Sequence, residues 1–273
     1  MITQWTEQDI TANGAQFHYY RTGNGDKPAL VLAHGFSDNG MCWLPVARDL
    51  EAEYDVILPD ARGHGKSQRV QPGESVDHAA DLAGIIQALG LESPIVGGHS
   101  MGASTASTLA AEHPGLVRAL ILEDPGWRDP APEPAAKEPE PEPRPNPWYE
   151  WLQSLPGLSI EQVMAKGRAD SPTWAEIEMG PWAESKKQLD LNILQTESVR
   201  RAWRDVVKAI TCPTLLITAD ANQGAIVTPQ MARTAIILNR RVQVVNIAGV
   251  GHSIRREDYN GYMRAVREFL GTL

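Results

Sequence analysis

The sequence lacks several things, and each absence narrows what the protein can be. Only two cysteines occur in 273 residues, Cys42 and Cys212. They are too far apart for a C-x-x-C site and too few for a disulfide framework, and they fit a reducing compartment. An excess of positive charge is also missing. The formal net charge is −9 and no long basic run offsets it, so nucleic acid is not expected as a partner. No apolar run approaches the roughly eighteen residues that a membrane span needs. The first residues, Met1-Ile-Thr-Gln-Trp-Thr-Glu-Gln-Asp, have neither a basic start nor an apolar stretch behind it, so no secretory leader is expected and the cytoplasm is the expected location. Phosphate-binding glycine loops, nucleotide fingerprints and metal-ligand clusters are absent as well, so no cofactor or metal is expected.

What is present is an ordinary soluble composition, 42% hydrophobic and 22% charged, in a length that suits one α/β domain carrying an insertion. The chain is organised around Gly98-x-Ser100-x-Gly102. An apolar run from Ser93 to Val96 precedes it and a small-residue, helix-competent segment from Ala103 to Glu112 follows, the strand, turn and helix of a nucleophile elbow. The reason for the glycines is steric. A serine hydroxyl held at the tip of so sharp a turn forces strained backbone angles, and side chains two residues away on either side would collide. The helix that starts just after the serine aims free N–H groups at the same place.

Taken in order, Ala15 to Arg21 reads as an edge strand and Pro28 to Ala33 as a buried strand of a parallel sheet, ending in His34-Gly35-Phe36-Ser37. The N–H groups of Phe36 and Met101 are candidates for an oxyanion hole. Trp43 to Leu50 reads as a helix and Tyr54 to Pro59 as a strand. In Asp60-Ala-Arg62-Gly-His64-Gly-Lys-Ser67 the Arg and His are read as structural, bonding to each other and to the neighbouring loop. Val76 to Leu89 has helical spacing, with His78 taken as exposed. Leu116 to Leu122 is a further strand, followed by Glu123-Asp124-Pro125. This alternation predicts a parallel, doubly wound sheet.

The pattern breaks at Asp129 to Pro147, where proline stands at nearly every second position and an extended, solvated segment is expected. Trp148 to about Val207 is helix-like, and six of the eight tryptophans fall between Trp127 and Trp203. These residues suggest a helical cap whose aromatics, Trp127, Trp148 and Trp151 among them, line an apolar pocket over Ser100. The expected division is core over 1–126, proline-rich segment and cap over 127–209, and core again over 210–273. The sheet resumes at Pro213 to Thr218, with a helix over Gln230 to Leu238, a strand over Val242 to Ile247 and a closing helix over Glu257 to Leu270. His252 sits on a glycine-rich loop, Ala248-Gly-Val-Gly-His252, just past the last strand.

Together, His34-Gly35-Phe36, Asp60-x-Arg62-Gly-His64-Gly-x-Ser67, Gly98-His-Ser100-Met-Gly102, the Pro213-Thr-Leu-Leu-Ile strand and Gly249-x-Gly251-His252 resemble the α/β-hydrolase family. The resemblance implies Ser100 as nucleophile, His252 as general base and the Phe36 and Met101 amides as oxyanion donors. A serine at the elbow separates the chain from dehalogenase and epoxide-hydrolase relatives, which use aspartate there. The acid departs from the common pattern, because the usual position after the Pro-Thr-Leu-Leu-Ile strand holds Asn222. Asp124 is the favoured substitute, Asp220 the second and Glu123 the third. The implied activity is hydrolysis of a small or medium carboxylic ester or a lactone through an acyl-enzyme, with no cofactor. A C–C hydrolase of vinylogous diketones and a non-catalytic ligand-binding protein of the same fold are the alternatives.

Overall fold

The computed structural model describes residues 5–128, 146–199 and 201–273. The proline-glutamate stretch lies almost wholly outside these residues. In chain order the elements before the insertion are β1 (Thr6–Ala12), β2 (Ala15–Arg21), β3 (Ala29–Ala33), α1 (Leu44–Leu50), β4 (Asp55–Pro59), β5 (Ser75–Val76), α2 (His78–Ala88), β6 (Ile95–His99), α3 (Met101–Glu112) and β7 (Ala119–Glu123). After it come α4 (Pro147–Ser154), α5 (Ile160–Asp170), α6 (Glu176–Gln188), β8 (Glu197–Ser198), α7 (Trp203–Ala209), β9 (Thr214–Thr218), α8 (Pro229–Leu238), β10 (Val242–Asn246), α9 (Ile254–Glu257) and α10 (Tyr259–Leu270).

Eight strands form one sheet in the order β1-β2-β4-β3-β6-β7-β9-β10. The β1/β2 and β2/β4 pairs are antiparallel and the other five are parallel. The expectation that β2 is the edge strand is therefore corrected: β1 lies outside it. Its residues, Thr-Glu-Gln-Asp-Ile-Thr-Ala, are mostly polar and solvent-facing, so periodicity alone hides it. The hairpin signal was Asn13-Gly14, both at positive φ (45° and 74°), the two-residue turn that matches strand twist.

Strands β3, β4, β6, β7 and β9 are buried along almost their whole length, as apolar strands covered on both faces must be, while the parallel edge strand β10 is partly exposed. Against one face pack Leu82 and Ile86 of α2, Ala106 and Leu109 of α3, Trp203 of α7 and Ala235 of α8. Against the other pack Val46 and Leu50 of α1 with Tyr262, Val266 and Phe269 of α10. Helices on both sides make this a doubly wound α/β sheet.

Between β7 and β9 the chain leaves the sheet. The helix-like run predicted there is broken at Pro156-Gly157 and again at Ser171-Pro172, giving separate helices; α5 starts with a capping box between Ser159 and Gln162. Leu152, Leu155, Val163, Ala183 and Ile193 form their own apolar cluster. Leu189, Val70 from the loop after β4 and Val76 of β5 complete it. The insertion is thus seated on loops that leave the C-terminal ends of the strands. Among the described residues no helix is long and apolar enough to cross a membrane.

Candidate active site

In an open parallel sheet the loops beyond the carboxyl ends of neighbouring strands converge, and β6 lies between β3 and β7. Ser100 follows β6 directly. Its φ of 52° and ψ of −111° are a strained conformation for any residue but glycine. Such strain persists only where the surroundings enforce it. A Cβ on Gly98 would lie 2.4 Å from the Gly102 carbonyl carbon and oxygen, and one on Gly102 would lie 2.2 Å from the Ala33 carbonyl oxygen. No other residue fits at either flank. A serine before a helix usually caps it by accepting from backbone N–H groups; Ser100 makes no such bond, so its hydroxyl is not committed to α3.

Asp124 follows β7, beside β6. It is fully buried and also has positive φ, 38°. Its Oδ1 accepts from Val227 N and its Oδ2 from Ile226 N, each at 2.8 Å. The same Oδ2 accepts from His252 Nδ1 at 2.6 Å. Because the carboxylate accepts, Nδ1 carries the proton and Nε2 presents a lone pair. The loop after β9, which lacks an acid at Asn222, thus donates two backbone amides to an acid that comes from β7.

The other two candidate acids are placed elsewhere. Asp220 Oδ2 accepts from Gly249 N at 2.8 Å, so it braces the loop that carries His252 without reaching the ring. Glu123 points to the opposite side of β7, as a strand neighbour must, and is spent on Arg255, whose N and Nη1 donate to it at 2.9 Å. Asn222 is exposed on a short turn.

Backbone bonds tie the three residues together. Gly126 N donates to the Ser100 carbonyl at 3.1 Å, and Ser100 N to the Glu123 carbonyl at 3.0 Å. His99, the residue before the serine, donates Nε2–H to the His252 carbonyl at 2.9 Å and stacks obliquely on that ring, with centroids 4.6 Å apart. Sequence reasoning gave His99 no part, since its only signal is adjacency to Ser100. The amides of Phe36 and Met101 have no hydrogen-bond partner among the described residues. Met101 N opens α3, where a helix leaves N–H groups unsatisfied.

Arg62 pairs with Asp81 and Glu74, and His64 Nδ1 donates to the Arg62 carbonyl, in keeping with a structural loop. His78 departs from its expected exposure: its Nδ1 is buried, its ring lies 6.2 Å from that of His64, and burial pushes its pKa down to about 4. Burial likewise holds His34 below its ordinary value, and His64 and His99 well below theirs.

The tryptophans divide. Trp127 is a core residue: its ring stacks on Trp203 at 5.2 Å and its Nε1 donates to Ser107 Oγ at 3.4 Å. It is corrected from pocket wall to packing. Trp151, half-buried, stacks on Trp182 at 5.8 Å within the helical insertion. Trp148 remains beside the site. It is 45% exposed and tilted against Phe36 with centroids 5.6 Å apart.

A family model for the alpha/beta hydrolase fold matches residues 28–259. The chain belongs to the α/β-hydrolase fold family. It is 31% identical over 278 aligned residues to N-formylmaleamate deformylase of Pseudomonas putida, covering 96% of this chain and 95% of that one. Among solved structures it resembles an E-2-(acetamidomethylene)succinate hydrolase, with a TM-score of 0.74 at 21% identity and coverage of 98% and 100% of the two chains. A thermophilic esterase from Thermogutta terrifontis superposes with a TM-score of 0.67 at 25% identity, covering 98% of each. For this α/β hydrolase, such kinship supports hydrolase activity in general.

Proposed function

We propose that the protein is a serine hydrolase that cleaves a carboxylic ester or a lactone through an acyl-enzyme. The observation that carries this reading is the 2.6 Å bond between His252 Nδ1 and the buried Asp124, beside a serine held in strained geometry with its hydroxyl uncommitted. His252 Nε2 takes the Ser100 proton as Oγ adds to the carbonyl carbon, and the imidazolium so formed is stabilised by Asp124. The Phe36 and Met101 amides donate to the oxyanion, each worth about 3 kcal/mol in sites of this kind. The tetrahedral adduct collapses, the alkoxide leaves with the proton from His252, and a water activated by His252 clears the acyl group. Helices α4, α5 and α6 act as a cap, with Trp148 its contribution to the wall near Phe36.

A second reading is favoured by the Pseudomonas putida relative, whose name gives it as a deformylase. The same residues would then act on an N-formyl carbonyl, with His252 protonating a nitrogen leaving group. Short p-nitrophenyl esters, a lactone and an N-formyl enamide, assayed with wild type and Ser100→Ala, distinguish the two. Ester or lactone turnover that drops by about a thousandfold or more in Ser100→Ala supports the first reading. Formate release with no ester turnover supports the second. Turnover of none of them, or equal turnover by Ser100→Ala, overturns both.

A further inference from the structure

The turn that carries the Phe36 amide is closed by a bond from Asp38 N to the Gly35 carbonyl at 3.1 Å, and its third residue, Ser37, has φ of 64°. A residue at that place in a four-residue turn with positive φ is ordinarily glycine. Something must hold the serine there. Lys186, on α6 of the helical segment, donates from Nζ to the Ser37 carbonyl at 2.8 Å and to Asp38 Oδ1 at 2.7 Å. It is 3% exposed.

Asp38 Oδ2 in turn accepts from Arg256 Nη2 at 3.0 Å, and Arg256 Nε donates to Glu178 Oε2 of α6 at 3.1 Å. Arg256 lies four residues after His252. Asp38 is therefore the joint at which the Phe36 turn, α6 and the helix following His252 meet. Burial alone would raise the Asp38 pKa, but Arg256, Lys186 and Arg255 together drive it well below its usual range, so the carboxylate stays charged. Replacing a buried ion cluster with apolar side chains is often neutral or stabilising, so such a cluster is a weak argument for stability. What this one does by geometry is join three elements at one carboxylate.

We propose that Lys186 is a positioning residue: by gripping Ser37 and Asp38 from α6, it holds the Phe36 amide in its oxyanion-donating orientation, so that the oxyanion site is assembled only while the helical segment is docked. This rests on the serine-hydrolase reading. Without Lys186, Ser37 relaxes towards negative φ and the Phe36 N–H turns away. Ground-state binding does not need that N–H, so the loss falls on kcat and leaves KM in place.

The neighbouring lysine supplies the control. Lys187 Nζ donates to the Leu155 and Leu158 carbonyls at 2.6 Å, anchoring the same helix within the insertion and not to the core. The test is the rate at which a fluorophosphonate labels Ser100, in which the Oγ–P bond forms and fluoride leaves, together with kcat and KM on an ester. Lys186→Met is expected to slow labelling and kcat by about 100-fold, the scale of one lost oxyanion donor, with KM unchanged. Lys187→Met is expected to label like wild type. Adding Ser37→Gly to Lys186→Met is expected to restore much of the rate, because glycine adopts the turn without strain; a merely structural lysine would show no such rescue. Should Lys186→Met fail to fold, Lys186→Gln, which keeps a polar group in the site, is read the same way. Wild-type protein that resists labelling would overturn the serine-hydrolase reading itself. Labelling of wild type with equal labelling of the Lys186 variant, or equal losses in both lysine variants without rescue, would overturn this inference alone.

Discussion

Lowering the pH from about 7 to about 5 is expected to remove much of this fold's stability, because four of its seven histidines are held uncharged inside it. His34, His64 and His99 are buried and His78 is turned inward beside them. Their ring nitrogens leave no room for a second proton. His34 Nδ1 donates to the Gly35 carbonyl at 2.8 Å while Nε2 accepts from Ala61 N at 3.0 Å, so a proton on Nε2 would face a donor. His64 Nε2 and His99 Nδ1 are buried without partners, and a charge there would be unsolvated. A base whose pKa falls on folding protects the fold above its unfolded value, 6.5 for histidine, and loses that protection as pH drops below it. Between its folded and unfolded values such a histidine contributes a slope of up to about 1.4 kcal/mol per pH unit, and for His78 that interval runs from 6.5 down to about 4. Glu123 works in the opposite sense, since burial pushes its pKa up against the pull of Arg255. His78 alone, lowered from 6.5 to about 4, is worth about 2 kcal/mol by pH 5, and the other three histidines add to the loss in the same direction. Set against a total of about 5 to 15 kcal/mol for a typical domain, that is a sizeable share. Urea midpoints followed by tryptophan fluorescence at pH 7, 6 and 5 measure it directly. A midpoint that stays level or rises across that range would refute the reasoning.

Two further outcomes follow from the same contacts. Gly102→Ala places a methyl 2.2 Å from the Ala33 carbonyl oxygen, with backbone on both sides, and is expected to lower stability by about 3 kcal/mol or prevent folding, as read from urea denaturation. Asp220→Asn keeps an oxygen that can accept from Gly249 N, so ester turnover is expected to stay within about fivefold of wild type, a change of about 1 kcal/mol.

Much of the fold was legible in the sequence because buried parallel strands read as short apolar runs between glycine-rich turns. β3, β4, β6, β7, β9 and β10 lie within a few residues of their expected places. β1 escaped notice because its side chains face solvent and only Asn13-Gly14 marked it. At the site, the constraints on Ser100 are local: glycines at fixed spacing can mean a turn too tight for side chains, and that is visible in one stretch. The partner of His252 is not local. Asp124 lies 128 residues away along the chain, and its rank above Asp220 came from where some relatives carry their acid and from its spacing from Ser100, not from contacts. Hidden altogether were Asp38, Glu178, Lys186, Arg255 and Arg256, since charged residues in a turn or on a helix read as solvated until the packing brings them together. The tryptophans mislead for the same reason. An aromatic in a helical segment reads as pocket or as packing until its neighbours are known, and the buried, stacked pair Trp127/Trp203 is packing.

The central claim is that His252 is oriented by Asp124 for a reaction at Ser100. It is tested most directly by kcat/KM of Asp124→Asn on an ester that the wild-type protein turns over. An asparagine carries no negative charge to stabilise the imidazolium, and its amide NH2 can face Nδ1 and favour the wrong tautomer, so the account predicts a fall of about 10⁴-fold. Asp124→Asn turning over at the wild-type rate would contradict it.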